Sequence, residues 1–143
     1  LGRDINTVLN GIYMWYYKDQ PIEDIPSDIY GYVYLITNLT NNRKYIGKKL
    51  FWFRKTKTIK GKKKKIKVES DWKDYWSSSE DVKIDVEKLG IENFKREILY
   101  LCKNKGMCNY LEAREQMDRR VLESDEYYNG TIQCRIHKSH IKL

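Results

Sequence analysis

The chain has 143 residues, 41% of them apolar, which suits one globular domain and excludes a disordered chain. No apolar run approaches the roughly 18 residues of a membrane span. The net charge of +8 is local: nine of the 28 Lys and Arg lie between Arg54 and Lys67, where there is no Asp or Glu, leaving 19 basic against 20 acidic residues elsewhere.

Leu1-Gly2-Arg3-Asp4 has no basic stretch followed by an apolar one, so no secretory leader is expected. Ile5, Val8, Leu9, Ile12 and Tyr16 recur at helical spacing and predict an N-terminal amphipathic helix, capped by Asp4 and weakened by Gly11. Pro21 and Pro26 mark an extended connector from Gln20 to Asp28. Over about 31–47, two β-rich runs flank the polar turn Thr40-Asn41-Asn42-Arg43, which predicts a hairpin. The hairpin puts Tyr34 and Tyr45 on neighbouring strands. Leu50-Phe51-Trp52-Phe53 then needs a core or a partner. In the basic segment, Lys and Thr alternate around Gly61. That pattern reads equally as a second, protruding hairpin suited to a DNA groove or as a disordered loop. A concentrated cationic patch is the footprint of phosphate-backbone binding; the plainer reading is a solvated loop.

The aromatic stretch Asp71 to Trp76 is expected to close one edge of the core. Ser77-Ser78-Ser79-Glu80 offers an N-cap, Val82, Val86 and Leu89 set a helical face, and Gly90 is a stop, so a helix is predicted over 79–89. Asn93 to Cys102 reads as a strand with Ile98, Leu99 and Leu101 buried. Cys108 to Glu123 reads as a second helix with an apolar stripe of Tyr110, Leu111, Met117, Val121 and Leu122. Glu112 and Glu115 fall on adjacent parts of one face. Tyr127-Tyr128-Asn129-Gly130 is a turn, and a strand through Ile132 closes the sheet. Cys102, Cys108 and Cys134 form no C-x2-C pair and read as reduced thiols in a cytoplasmic protein. Cys134, His137 and His140 form a C-x2-H-x2-H run that lacks a fourth zinc ligand. The fold class is α+β: a small three-stranded, mainly antiparallel sheet flanked by helices, with a basic insertion after the first hairpin. The division expected is a helical extension and linker over 1–30, a domain over 31–135 with the insertion at 54–70, and a tail over 136–143.

Tyr32-Val33-Tyr34 followed by Tyr45-Ile46-Gly47 resembles the motif of the GIY-YIG nucleases. Lys48 follows that glycine, and Arg54 comes seven residues after it. Glu115 sits in Leu111-Glu112-Ala113-Arg114-Glu115-Gln116, similar to the family's glutamate-bearing helix, and Asn129 follows 14 residues later. Phe94 to Leu99 resembles the family's central strand. The resemblance covers about 31–130. There are departures: Tyr32 stands where the motif has glycine, Lys55 competes with Arg54 on spacing, and no histidine occurs where some members carry one. Gly11-Ile12-Tyr13 spells the motif literally, but Tyr13 lies 32 residues before Tyr45 and Tyr34 only 11. A single hairpin fits only the shorter spacing.

The resemblance implies a metal-dependent DNA endonuclease, homing-type or phage-encoded, with a restriction-type enzyme or a non-catalytic nucleic-acid-binding module on the same scaffold as alternatives. It implies that Glu115 holds a single Mg²⁺ (or Mn²⁺), with Glu112 as rival ligand. Tyr34 and Tyr45 would orient or deprotonate water, Lys48 (or Lys49) would lower a phenol pKa, and Arg54 would clamp the phosphate. Gly47 and Asn129 would support the site. Lys49, Lys55, Lys57, Lys60, Lys62, Lys63, Lys64, Lys65 and Lys67 would track double-stranded DNA. The plainer readings are two tyrosines packed across a hairpin and Glu115 paired with Arg119 on a solvated helix face. No membrane partner is expected. With no second DNA-binding module evident, site selection would fall to the insertion, the N-terminal region or a homodimer.

Overall fold

In a computed structural model, residues 14–133 and 135–141 are described. They form strands β1 (Trp15–Tyr17), β2 (Gln20–Ile22), β3 (Gly31–Asn38), β4 (Arg43–Leu50), β5 (Trp52–Ile59) and β6 (Lys62–Glu69), helix α1 (Glu80–Leu89), strand β7 (Phe94–Cys102) and helix α2 (Lys105–Asp118). The class is α+β, as expected. The main sheet is wider than three strands: it has five, in the order β2-β1-β7-β3-β4. Its antiparallel centre is β7-β3-β4, and β1 joins β7 in parallel. Among the described residues, no helix is long and apolar enough to cross a membrane.

The two added strands come from the stretch expected to be helix and connector. Tyr16 lies in β1, and Gln20–Ile22 is β2. Trp15 decides this locally: its side chain is fully buried, and its indole N–H donates to the Trp72 carbonyl at 2.7 Å. Burying so large a ring outweighs weak helix propensity. The rest of the expected helix, including Gly11-Ile12-Tyr13, falls outside the described residues, as do Cys134 and the His140 side chain of the C-x2-H-x2-H run.

Period-two alternation splits the sheet into two faces. Trp15, Tyr32, Tyr34, Ile36, Phe51, Trp72 and Phe94 pack with Val82 and Val86 of α1 on one face. Val33, Leu35, Ile46 and Cys102 pack with Cys108 and Leu111 of α2 on the other. The β7 alternation breaks once. Val33 pairs with Tyr100 but Tyr34 with Ile98, which leaves Leu99 as a bulge. The bulge corrects the expected burial of β7: Phe94, Arg96 and Ile98 are buried, whereas Leu99 and Leu101 are only half-buried.

Helix α1 matches the 79–89 expectation. Ser79 Oγ accepts from the Val82 amide, and the Gly90 N–H bonds back to the Val86 carbonyl. Helix α2 begins earlier and ends sooner than Cys108–Glu123. Asn104 caps it by accepting from the Met107 amide at 2.8 Å, and Arg120, at φ 53°, ends it. A 3-10 turn, Val121–Glu123, follows. The helix therefore turns Ala113 and Gln116 inward and leaves Met117 and Leu122 more than half exposed. The strand expected through Ile132 is absent. Instead residues 126–129 run along the outer edge of β4, with a parallel bridge between Lys44 and Tyr127.

The basic segment is a hairpin. Strands β5 and β6 pair antiparallel over eight residues each as a separate two-stranded sheet. Lys60 and Gly61 both have positive φ, the condition for a two-residue hairpin turn that matches strand twist. The base is anchored by buried Phe51 and by Ser70, whose N–H donates to Phe51 O and whose hydroxyl donates to Leu50 O.

Candidate active site

The β3–β4 pairing sets the site. Tyr34 stands opposite Gly47, and Tyr45 opposite Ile36, so both rings occupy the α1 face of the sheet. Their centroids are 6.1 Å apart. Gly47 is needed for that approach. A Cβ at this position would lie 2.4 Å from the Tyr34 hydroxyl and 2.9 Å from the Tyr45 ring.

A third phenol joins them. The Tyr75 ring stands edge-on to Tyr34 at 5.9 Å, and Lys49 sits over its face at 4.1 Å. The Tyr45 hydroxyl lies 3.3 Å from Ser78 Oγ. Burial pushes the Tyr34 phenol well above its usual pKa, and the neighbouring Tyr75 adds to the rise. Burial also raises Tyr45, opposed by its Ser78 hydrogen bond and reinforced by the charge of Glu112. Burial raises Tyr75 as well.

The expected cation is therefore on the other face. Lys48 points to α2, where its ammonium donates to Asn109 Oδ1 and lies 3.8 Å from Glu112 Oε1. The phenols are raised, not lowered as Lys48 was expected to make them. Lys49 is the lysine on the phenol side, and it is itself bound to Asp71 Oδ1 at 2.6 Å.

The two glutamates part company. Both oxygens of Glu115 are taken: Tyr100 donates to Oε2 at 2.9 Å and Arg119 Nε to Oε1 at 2.7 Å. Tyr100 is on β7, away from the β4 edge. Glu112, one helical turn earlier, faces Lys48 and acts electrostatically on Tyr45. Burial raises its carboxyl pKa, and Lys48 partly opposes that. Among the described residues, no group of three or more His, Cys, Asp or Glu is arranged to hold a metal. A single carboxylate is still a fitting donor set for Mg²⁺, which keeps most of its waters and takes phosphate oxygens as ligands. Of the two glutamates, Glu112 is the one whose charge acts on a phenol, that of Tyr45.

Arg54 is not brought to the tyrosines. It is exposed on β5, directly across from Lys67. Its neighbour Lys55 and Lys57, Lys60, Lys62, Lys63, Lys64 and Lys65 are exposed on the same ribbon.

Asn129 supports the strand that carries Tyr45. Its Oδ1 accepts from the Ile46 amide at 3.0 Å, and its Nδ2 donates to the Ile46 carbonyl at 2.8 Å. Gln116 Nε2 donates to the same carbonyl at 3.0 Å. The side-chain amide thus completes the edge of β4 where backbone pairing stops. Asn129→Ala strands a buried N–H, and thermal melts should show a loss of about 2–3 kcal/mol, a fall in Tm on the order of 5–10 °C.

Sequence reasoning passed over Tyr75, Ser78, Gln116 and Arg96. Arg96 carried a usable signal, because it alternates with Phe94 and Ile98 on an inward-facing strand. Its guanidinium lies between the rings of Trp15 and Trp76, at 4.8 and 4.3 Å. It donates to the carbonyls of Lys73 and Tyr75 at 3.0 and 2.9 Å. Burial lowers its pKa to about 10, which leaves it charged at neutral pH. Arg96 so pins the loop that presents Tyr75 and Ser78.

No curated protein and no solved structure matches the chain. A family model does, that of the "Putative endonuclease segE, GIY-YIG domain", over residues 15–132. The match takes in β1 and β2, the tyrosine hairpin, the basic ribbon, α2 and Asn129. The chain therefore belongs to the segE-type GIY-YIG endonuclease domain family.

Proposed function

We propose that the chain is a metal-dependent endonuclease that hydrolyses phosphodiester bonds of double-stranded DNA, centred on Tyr34, Tyr45, Tyr75 and Glu112. The observation that carries this reading is the cluster of buried Tyr34 with half-buried Tyr45 and Tyr75, with Lys49 over the Tyr75 ring and the charge of Glu112 acting on Tyr45 from the α2 side, in a segE-type domain. Hydrolysis needs a positioned water, stabilisation of charge on the phosphate, and a proton for the leaving oxygen. With their pKa values raised, the phenols are protonated at neutral pH. They act as hydrogen-bond donors that orient water and phosphate, not as bases. Glu112 would hold the divalent ion, which supplies positive charge against that developing on the phosphate oxygens and makes nearby water more acidic. Arg54, held on the ribbon, grips a phosphate beside the one that is cut. Glu115 braces α2 against β7.

The test is plasmid cleavage by the full chain with Mg²⁺, with EDTA, and by Tyr34→Phe. Cutting is expected with Mg²⁺ and not with EDTA, and Tyr34→Phe should cut on the order of 10²-fold more slowly. The rate should rise with pH as Glu112 loses its proton, above the ordinary carboxylate range, with no later rise from a phenolate up to about pH 9. DNA binding without cutting under every metal condition would instead favour a non-catalytic binding module.

A further inference from the structure

We infer that the β5–β6 ribbon enters the major groove of B-form DNA on edge, so that its two faces contact the phosphates of opposite strands. The inference rests on the duplex-DNA reading above and adds the mode of engagement.

The argument begins with register. Alternation along β5 and β6 puts Lys55, Lys57, Lys62 and Lys64 on one face and Arg54, Lys63, Lys65 and Lys67 on the other. Each face carries four cations, and Lys60 sits at the turn. A ribbon that lay flat on a phosphate surface would need cations on one face only. Among the described residues, no salt bridge includes residues 54–67. Lys67 lies 4.2 Å over the Trp52 ring.

The pairing is also unfavourable as it stands. Lys57 is directly across from Lys64, and Arg54 from Lys67. Like charges in opposed positions destabilise a ladder, and a lone two-stranded ribbon is marginal in water. Phosphates on both sides would remove that repulsion at both faces together. A major groove about 12 Å wide admits a two-stranded ribbon between two phosphate walls. The major groove of A-form RNA is too deep and narrow to do so.

The experiment measures binding of the full chain to a labelled duplex of about 20 base pairs by fluorescence anisotropy in EDTA, across a salt series. One variant carries Lys55→Gln, Lys57→Gln, Lys62→Gln and Lys64→Gln; the other carries Arg54→Gln, Lys63→Gln, Lys65→Gln and Lys67→Gln. Each should flatten the log–log salt slope by a similar amount, about 3 to 4, and weaken binding at low salt on the order of 10²-fold or more. Versions that keep the charge, with Arg for each Lys, should retain the wild-type slope and so report on folding. Loss confined to one face, no change with either variant, or duplex RNA bound as tightly as DNA would each overturn the inference. Because no divalent ion is present, the outcomes separate. A protein that binds in this way but never cuts contradicts only the nuclease reading. One that cuts while its salt slope ignores both faces contradicts only the ribbon.

Discussion

Glu112→Gln should lower the cleavage rate on the order of 10³-fold, whereas Glu115→Gln should leave the rate within about tenfold of wild type. Stability should respond in the opposite order. The folded state raises the Glu112 carboxyl pKa through burial. A raised value means that its contribution to stability is fully present below the unfolded pKa and is lost as pH rises through the folded one. At neutral pH the ionised carboxylate therefore weakens the fold. Glu112→Gln should melt at or above the wild-type temperature at pH 7, and the difference should vanish in acid. Glu115→Gln breaks two charge-assisted hydrogen bonds, from Tyr100 and Arg119, at a side chain only 15% exposed. It should lose about 1–3 kcal/mol. Cleavage rates and melting curves on the two variants decide the matter. A dead Glu115→Gln that melts normally would return the metal to Glu115.

Gly47→Ala should be nearly as damaging, for a steric reason. The new methyl group would lie 2.4 Å from the Tyr34 hydroxyl and 2.5 Å from its ring carbon, and the ring is wholly buried. Tyr34 must move or β4 must separate from β3. The expected cost is about 1–3 kcal/mol of stability from overpacking. Displacing a positioning group by about 1 Å costs on the order of 10²-fold in rate. Combining Gly47→Ala with Tyr34→Phe removes the closest contact. The double variant should recover part of the lost melting temperature and none of the rate. Wild-type turnover by Gly47→Ala would separate the tyrosine pair from catalysis.

The parts of this site that were legible in the sequence are local ones. The β3–β4 hairpin follows from a polar turn between β-rich runs, and α1 from a serine cap and a glycine stop, all within a few residues. The choice between Glu112 and Glu115 is not local. The Leu99 bulge places Tyr100 on the α2 face, where it can reach Glu115, and a bulge leaves no mark in the alternation of apolar residues. The early stop of α2 depends on Arg120 adopting a left-handed backbone, which composition does not predict. Likewise β1 exists because Trp15 finds Trp72, 57 residues later. Lys48 and Lys49 are adjacent in sequence but on opposite faces, and only the strand register says which one meets the phenols.

The segment along the outer edge of β4 bears on how the protein is made. The Lys44 amide is met by Glu126, the Lys44 carbonyl by Tyr128 and the Ile46 backbone by Asn129, all more than 80 residues later. A chain interrupted before Glu126 would already hold its tyrosines, Glu112 and the cationic ribbon, yet its β4 would show unpaired amides and carbonyls to solvent. Such an edge recruits other strands, including those of sister chains. Premature termination should therefore yield aggregates that still adhere to nucleic acid, and the ability to cut should appear only once synthesis has passed residue 129.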